Sequence, residues 1–531
     1  MTMVRAKHQY RIALLLICFL LTPQFVVSAT QRKGKKKPVA GKNTDASALD
    51  SLRAAIQKAL ADDAYSAARW GVKISALDSD KVIYETDANK LFNPASNMKL
   101  YTTITALDRL GADFRTRTSL YAAAEPDNGT IKGDLIFYGR GDGNLSGRFN
   151  NGNQLKPLED LADQLKSRGV KKIDGNIVGD DSYFNSDLVG YGWEADDLRW
   201  RDGAEVSALA INENTIDLKV TPGAKLGDPC AIVLEPANSY ITVVNRTTTV
   251  ETGHKLDLGI HRGLEDNIIE VWGTIAVGDK GNTYHLAVHN PALYAANLLK
   301  DLLNRRGIEV KGNAISVHAN DHKTQPTKID AMKEIASLTS IPLSEEVAVI
   351  NKESNNLHAE ILLRQLGVKF GTRFVTGSIE RTAAEGPIPT DELGASVVKD
   401  LLKQAGVDPA VLTIKDGSGL SRHDLVTPAA TLAILRYAAR QTYAEALFNS
   451  LPIGGVDGTL KRRFASTVAA NNLHAKTGTL SYVNGLSGYV TTARGDRVVF
   501  SIMINNRTAQ GSSTAAMDAV CLLLAEYKGK L

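Results

Sequence analysis

Cysteine is scarce, with three residues in 531. Cys18 sits in the amino-terminal apolar run, and Cys230 and Cys521 lie far apart in the remainder. Nothing has the spacing of a cysteine metal cluster. The two later thiols could pair in an oxidising compartment, but Cys521 falls in the apolar helical stretch Ala515 to Leu524, and both read as buried and free. His358-Ala359-Glu360 has the first half of a zinc-deaminase signature, yet no Pro-Cys-x-x-Cys follows, so it reads as ordinary helix interior. The middle of the chain also lacks a dinucleotide fingerprint and a phosphate-binding Gly-x-x-x-x-Gly-Lys loop. No internal repeat is evident.

A long apolar run is missing as well. Ile12 to Leu21 is the amino-terminal candidate, and it falls short of the ~20 residues that a bilayer-spanning helix needs. With Arg5, Lys7 and Arg11 before it and the small residues Val27-Ser28-Ala29 after it, the segment reads as a secretory signal peptide over residues 1–29. Cys18 has no small residue before it, which argues against a lipoprotein site.

Acidic residues are absent from the first 44 positions, which hold nine Lys or Arg. The overall net charge of +4 therefore hides a body with 53 bases against 58 acids, a net −5. That mildly acidic body carries no general nucleic-acid footprint. The basic run Arg32 to Lys37, followed by Pro38 and Gly41, reads as a solvated, disordered tether over residues 30–46. The alternative is an electrostatic contact to anionic lipid or wall polymer, a peripheral membrane association.

The chain is 43% hydrophobic, enough for a large core, and too long for one ordinary domain. A helix is read from about Ala48 to Leu60, then a hairpin of Gly71 to Leu77 and Lys81 to Glu85. Pro94 breaks the chain, and Ser96 to Leu110 reads as a helix closed by Gly111. Near the other end, Leu473 to Leu480, Gly485 to Thr492 and Arg497 to Asn505 read as strands, with a helix from about Thr514 to Tyr527. Strands near both termini imply one antiparallel sheet assembled from distant halves. Residues 47–118 and 329–531 would form that domain, and residues 119–328 a β-rich insertion with a helix from Ala292 to Arg306. Arg140-Gly141-Asp142, in the insertion, reads as a turn rather than an adhesion sequence, given Gly139, Gly141 and Gly143.

Three short motifs carry chemistry. In Ser96-Asn97-Met98-Lys99 the lysine lies one helical turn beyond the serine, on the same face. There an ammonium of depressed pKa can accept the serine proton. Alone the motif is weak, since Ser-x-x-Lys arises by chance about twice in such a chain. The bland alternative is a capping serine and a solvated lysine. In Ser354-Asn355-Asn356 a hydroxyl can relay a proton to a leaving amine, and the Asn356 amide can hold a substrate carbonyl; the alternative is a helix N-cap before Leu357 to Leu366. In Lys476-Thr477-Gly478-Thr479, Gly478 permits close backbone approach, and Lys476 with the hydroxyls can bind a carboxylate. Lys-Thr-Gly is expected by chance only about a tenth of a time in such a chain. Together the motifs supply the parts of a serine acyl-transfer site.

These motifs resemble those of penicillin-binding proteins and serine β-lactamases. The wider chain resembles the low-molecular-mass, class C D-alanyl-D-alanine carboxypeptidase/endopeptidase family, peptidase S13. The further matches include Phe92-Asn93-Pro94-Ala95-Ser96, Gly192-Trp193, Asp197-Leu198-Arg199-Trp200, Val206-Ser207-Ala208-Leu209, Asp416-Gly417-Ser418-Gly419-Leu420-Ser421-Arg422 and Gly458-Thr459-Leu460. One departure is Gly141-Asp142-Gly143-Asn144-Leu145, where the family usually has Gly-Asp-Pro.

The resemblance implies an α+β fold: a penicillin-binding transpeptidase/β-lactamase-like domain with a five-stranded antiparallel sheet, and an insertion of two nested domains. It implies Ser96 as nucleophile, Lys99 as general base, Ser354 as proton relay and Asn356 as orienter of the acyl side. Lys476, Thr477 and Thr479 would bind the terminal carboxylate beside Gly478, and the amides of Ser96 and Thr479 would form the oxyanion hole. The implied substrates are peptidoglycan stem peptides, with β-lactam antibiotics as covalent inhibitors, in the periplasm; no metal or organic cofactor is implied. A β-lactamase or esterase on the same fold and a catalytically silent wall-binding protein are the alternative readings.

Overall fold

The computed structural model describes residues 44–319, 328–371, 387–508 and 513–531. The segment read as a signal peptide, and nearly all of that read as a basic tether, lie outside these residues. Among them no helix is long and apolar enough to cross a membrane.

A five-stranded antiparallel sheet is built from both ends of the chain. Its strands are β1 (Arg69–Ala76), β2 (Val82–Thr86), β3 (His474–Leu480), β4 (Val483–Thr491) and β5 (Arg497–Asn505), in the order β3-β4-β5-β1-β2. The junction between halves is the β1–β5 pairing, with Ile74 opposite Phe500. Strand β5 explains why the sheet sits at the centre. Val498, Phe500, Ile502 and Ile504 face one core, whereas Val499 and Met503 face another. A period-two strand that is apolar on both sides must be covered on both sides.

One cover is α1 (Thr44–Leu60) with α4 (Ser513–Glu526). Leu49, Leu52, Ile56 and Leu60 follow helical spacing and meet Met517, Val520 and Leu524 across the strands. Cys521 is buried in this layer, and Cys230 is buried in the insertion; both are free. The opposite cover contains α2 (Met98–Leu110) and α3 (Asn356–Phe370), packed with Thr390–Gln404 and Pro428–Ala438. Thus α2 and α3, read from segments some 250 residues apart, lie together under the sheet.

The chain leaves and re-enters this domain through paired strands, Arg117–Ala122 and Lys333–Thr339. They edge a second five-stranded sheet with Leu135–Tyr138, Ile177–Asp180 and Ala314–Val317. Three further three-stranded sheets follow. Helix Pro291–Arg305 packs on this assembly; Asn290 caps it by accepting from Leu293 N–H at 3.0 Å. One apolar cluster links Leu120, Phe137, Ile216, Val271 and Leu298, residues drawn from several of these pieces.

The Arg140-Gly141-Asp142 turn is tied into the protein rather than presented at its surface. Gln365 Nε2 of α3 donates to the Gly141 carbonyl at 2.6 Å, and Asp142 is buried. A Cβ on Gly143 would lie 2.9 Å from the His358 ring of α3. The departure from Gly-Asp-Pro is therefore not local to the insertion, because it seats the insertion on the helix that begins with Asn356.

Candidate active site

Ser96 lies in a short 3-10 turn, Ala95–Asn97, and α2 proper begins at Met98, two residues later than periodicity suggests. The cause is Ala95, whose φ of 47° is left-handed and breaks the entry. Asn93 supports the turn: its side chain accepts from Ala95 N–H at 3.0 Å and donates to the Ser421 carbonyl at 3.1 Å. Ser96 is thereby presented on a turn held from two sides.

Lys99, fully buried, reaches Ser96 Oγ at 2.9 Å, Asn356 Oδ1 at 2.6 Å and the Ser418 carbonyl at 2.7 Å. Burial lowers its pKa from an ordinary lysine value to about 8, while Asp416, Glu360 and Asp202 pull it back upward. Two of its three partners are carbonyl oxygens, which only accept. They can therefore hold the two N–H bonds of a neutral amine, and the lone pair is left facing the Ser96 hydroxyl.

Ser354 has a φ of 61° and precedes Asn355, which caps α3 by accepting from His358 N–H at 3.0 Å. The N-cap reading of this motif and its site reading are thus compatible, since Asn355 caps while its neighbours face the cleft. Asn356 also donates to the Asp202 carbonyl at 2.8 Å, which joins it to the insertion.

Lys476 Nζ donates to Ser354 Oγ at 2.8 Å and to the Thr477 carbonyl at 2.9 Å. Burial, and then the charge of Lys99, push its pKa well below the usual range. Thr477 shares a hydroxyl contact with Thr459 at 2.8 Å, and Asn484 Nδ2 donates to Thr479 Oγ1 at 3.1 Å. A Cβ on Gly478 would fall 2.7 Å from the Pro94 carbonyl. That close approach sets edge strand β3 against the Ser96 turn, and alternate amides of an edge strand lack ladder partners. The eight residues singled out from the sequence thus meet around one cleft of about 500 Å³, which Ser96, Ser354, Asn356 and Thr479 line.

Sequence reasoning missed what holds Lys99. Glu360, passed over as helix interior, accepts from the Gly417 and Ser418 amides at 3.0 and 2.8 Å. Those bonds aim the Ser418 carbonyl at Lys99. Burial, reinforced by Asp416, raises the Glu360 pKa to about 8. Asp416 in turn accepts from Gly419 and Ser421 N–H, both at 2.7 Å, and from Trp193 Nε1 of the insertion at 2.9 Å. The Asp416-Gly417-Ser418 run was visible as a match, but its partner on α3 was not.

Residues 52–527 match the D-Ala-D-Ala carboxypeptidase 3 (S13) family. The chain belongs to that family. It is similar to a D-alanyl-D-alanine carboxypeptidase of Actinomadura sp. (strain R39), 33% identical, with 91% of this chain and 86% of the relative covered. D-alanyl-D-alanine carboxypeptidase DacB of Haemophilus influenzae is 29% identical, over 83% of this chain and 85% of its own length. The crystal structure of penicillin binding protein 4 from Haemophilus influenzae superposes with a TM-score of 0.70 at 27% identity, covering 89% of this chain and 97% of that one. A second structure of that protein, complexed with a β-lactam, superposes with a TM-score of 0.66 at 25% identity, covering 89% and 97%.

As an S13 member the chain is a serine peptidase. Its fold is the α+β penicillin-binding type, a five-stranded antiparallel sheet between helices with additional β-rich insertion structure.

Proposed function

We propose that this S13 peptidase hydrolyses the terminal D-Ala-D-Ala bond of peptidoglycan stem peptides, and D-Ala-meso-diaminopimelate cross-links between them, through an acyl-enzyme on Ser96. The observation that carries the reading is the environment of Lys99: a buried amine with two carbonyl acceptors and one serine hydroxyl.

In the acylation step, Ser96 Oγ attacks the carbonyl carbon of the penultimate residue and its proton passes to neutral Lys99. The oxyanion is held by the Ser96 and Thr479 amides. The C–N bond then breaks as the proton passes from Lys99 through the Ser354 hydroxyl to the departing amine. Water attacks the ester, Lys99 takes and returns its proton, and Ser96 is regenerated with release of the carboxylic acid. Asn356 holds the acyl side. Burial and the charge of Lys99 disfavour the ammonium form of Lys476, and a substrate carboxylate beside Thr477 and Thr479 offsets this, since opposite charge favours the charged form.

β-Lactams acylate the same serine, a reading supported by the β-lactam complex of the Haemophilus relative. The proposed substrate and the amino-terminal pattern support a periplasmic location, outside the cytoplasmic membrane.

Mass spectrometry after incubation with labelled penicillin tests the mechanism, with one stable adduct expected on Ser96 and none in Ser96→Ala. No adduct would refute it, and rapid turnover of the β-lactam would point to a β-lactamase. Digestion of purified peptidoglycan separates the two peptidase activities: free D-alanine reports the carboxypeptidase, and loss of cross-linked dimers the endopeptidase.

A further inference from the structure

The loop of residues 415–424 meets the nucleophile and its base at several points. The Ser418 carbonyl accepts from Lys99, the Gly417 carbonyl from Thr102 Oγ1 at 2.7 Å, and the Ser421 carbonyl from Asn93. A Cβ on Gly419 would fall 1.9 Å from the Ala95 carbonyl oxygen, so the loop lies directly against the Ser96 turn. Paired backbone bonds between Thr413 and Leu425, at 2.9 and 2.8 Å, close the loop at its base. Whatever fixes its interior therefore fixes Ser96 and Lys99.

That interior holds two buried carboxyl groups, Asp416 and Asp424, within hydrogen-bonding reach of each other. Their partners are unequal in number. Asp416 accepts from Gly419 N–H on Oδ1, and on Oδ2 from Ser421 N–H, from Trp193 Nε1 and from Ser418 Oγ at 3.3 Å. Asp424 Oδ1 accepts one bond, from Lys415 N–H at 2.7 Å, and no group among the described residues donates to Oδ2.

Two ionised carboxylates in contact inside a protein repel strongly, so such a pair holds one proton between its members. The donors decide which member carries it: four of them stabilise charge on Asp416, against one on Asp424. Burial, and then the charge of Asp416, push the Asp424 pKa well above the ordinary carboxyl range; Glu360 acts in the same direction and the Lys415 bond against it.

We propose that Asp424 is a positioning residue for acyl transfer: as an un-ionised carboxylic acid it donates its Oδ2 proton to Asp416, accepts from Lys415 with Oδ1, and so holds the loop that sets the Ser418 carbonyl on Lys99 and the Ser421 carbonyl on Asn93. Asp424 is buried outside the cleft lining and acts only through this loop. This deepens the reading of Ser96 and Lys99 as nucleophile and base, and rests on it.

Asp424→Asn is the isosteric test, because its amide oxygen can accept from Lys415 and its amide nitrogen can donate to Asp416. The infrared difference between wild type and Asp424→Asn at neutral pH should show one carboxylic-acid C=O band lost. A difference without that band means an ionised Asp424, or one bound to a cation, and overturns the proposal. Acylation of Asp424→Asn by a fluorescent penicillin should stay within about threefold of wild type, whereas Asp424→Ala should be slowed about tenfold or more, the effect of losing a buried hydrogen bond. A tenfold loss in Asp424→Asn, or no loss in Asp424→Ala, refutes the positioning role; the first of these does not depend on the alanine variant folding. The pH–rate profile adds a reading that a merely structural role would not move. An anion near Lys99 favours its ammonium, so replacing an ionised Asp424 by Asn would displace the profile to lower pH, while replacing a neutral one leaves it in place. A displaced profile overturns the proposal. If the wild type is not acylated at all, the DD-peptidase reading fails, and the infrared band still decides whether Asp424 carries the proton.

Discussion

Asn505, the last residue of β5, holds Asn93 by both of its backbone groups. Its Oδ1 accepts from Asn93 N–H at 2.7 Å, and its Nδ2 donates to the Asn93 carbonyl at 3.1 Å. Two residues, Pro94 and Ala95, separate Asn93 from the nucleophile, so the carboxy-terminal strand of the sheet fixes the height of the Ser96 turn. Asn505→Ala removes both bonds and leaves two backbone groups to find water. A stability loss of about 1–3 kcal/mol is expected, measured by urea unfolding. Acylation by a fluorescent penicillin should slow about tenfold or more, because small displacements of a nucleophile are expensive. Normal acylation in a destabilised variant would show that the turn keeps its geometry without this clamp.

Glu360 acts on the reaction through Ser418. One oxygen of its carboxyl group fixes two consecutive amides, and the second belongs to the residue whose carbonyl receives Lys99. In Glu360→Ala the loop loses both acceptor bonds, and Lys99 loses a fixed partner. The acylation rate should fall about tenfold to a hundredfold, with the apparent pKa of the rate profile displaced from that of the wild type. Glu360→Gln keeps one acceptor oxygen and should recover much of the rate. A purely structural role would lower the melting temperature and leave the pKa of the profile where it was.

The central sheet could be read from the sequence because its strands and flanking helices are locally consistent. Val498 to Ile504 is apolar apart from Ser501 and rich in β-branched residues, and α1 keeps its apolar face at helical spacing. The catalytic motifs were legible for a different reason: Ser96 and Lys99 are one turn apart, and Lys476 to Thr479 is contiguous. What escaped was non-local. Nothing near Glu360 announces that Gly417 and Ser418 will point their amides at it. Likewise, Ala95 gives no sequence signal for a left-handed φ, so the helix start was set two residues early.

Lys99 sets the pH dependence. Its pKa of about 8 lies below that of a free lysine because burial penalises the ammonium, and the neutral form is the one that accepts the Ser96 proton. The neutral fraction grows as pH rises, so the acylation rate should climb about tenfold per unit below pH 8 and level off above it. Stopped-flow acylation from pH 5.5 to 9.5 checks this. Lys99→Arg should be inactive across the whole range, since a guanidinium stays protonated. A rate that falls as pH rises through 8 would mean that Lys99 works as an acid and would reverse its assignment.

Gly478 is where strand and nucleophile compete for space. A methyl group there would lie 2.7 Å from the Pro94 carbonyl and 3.2 Å from Ala95 Cβ. Both neighbours belong to the turn that presents Ser96, and Pro94 cannot yield by rotating a side chain. Gly478→Ala must therefore push β3 away from the turn. That displacement widens the gap between the Ser96 and Thr479 amides, which jointly hold the oxyanion in the proposed mechanism. The cost to folding should be about 1–3 kcal/mol, typical of overpacking a tight contact. The cost to acylation should be larger, about a hundredfold, because oxyanion stabilisation depends on donor position. The two effects separate by experiment. Thermal unfolding reports the first, and the acylation rate measured well below the transition reports the second. Retained acylation in a variant with a lowered melting temperature would show that the close approach serves packing alone.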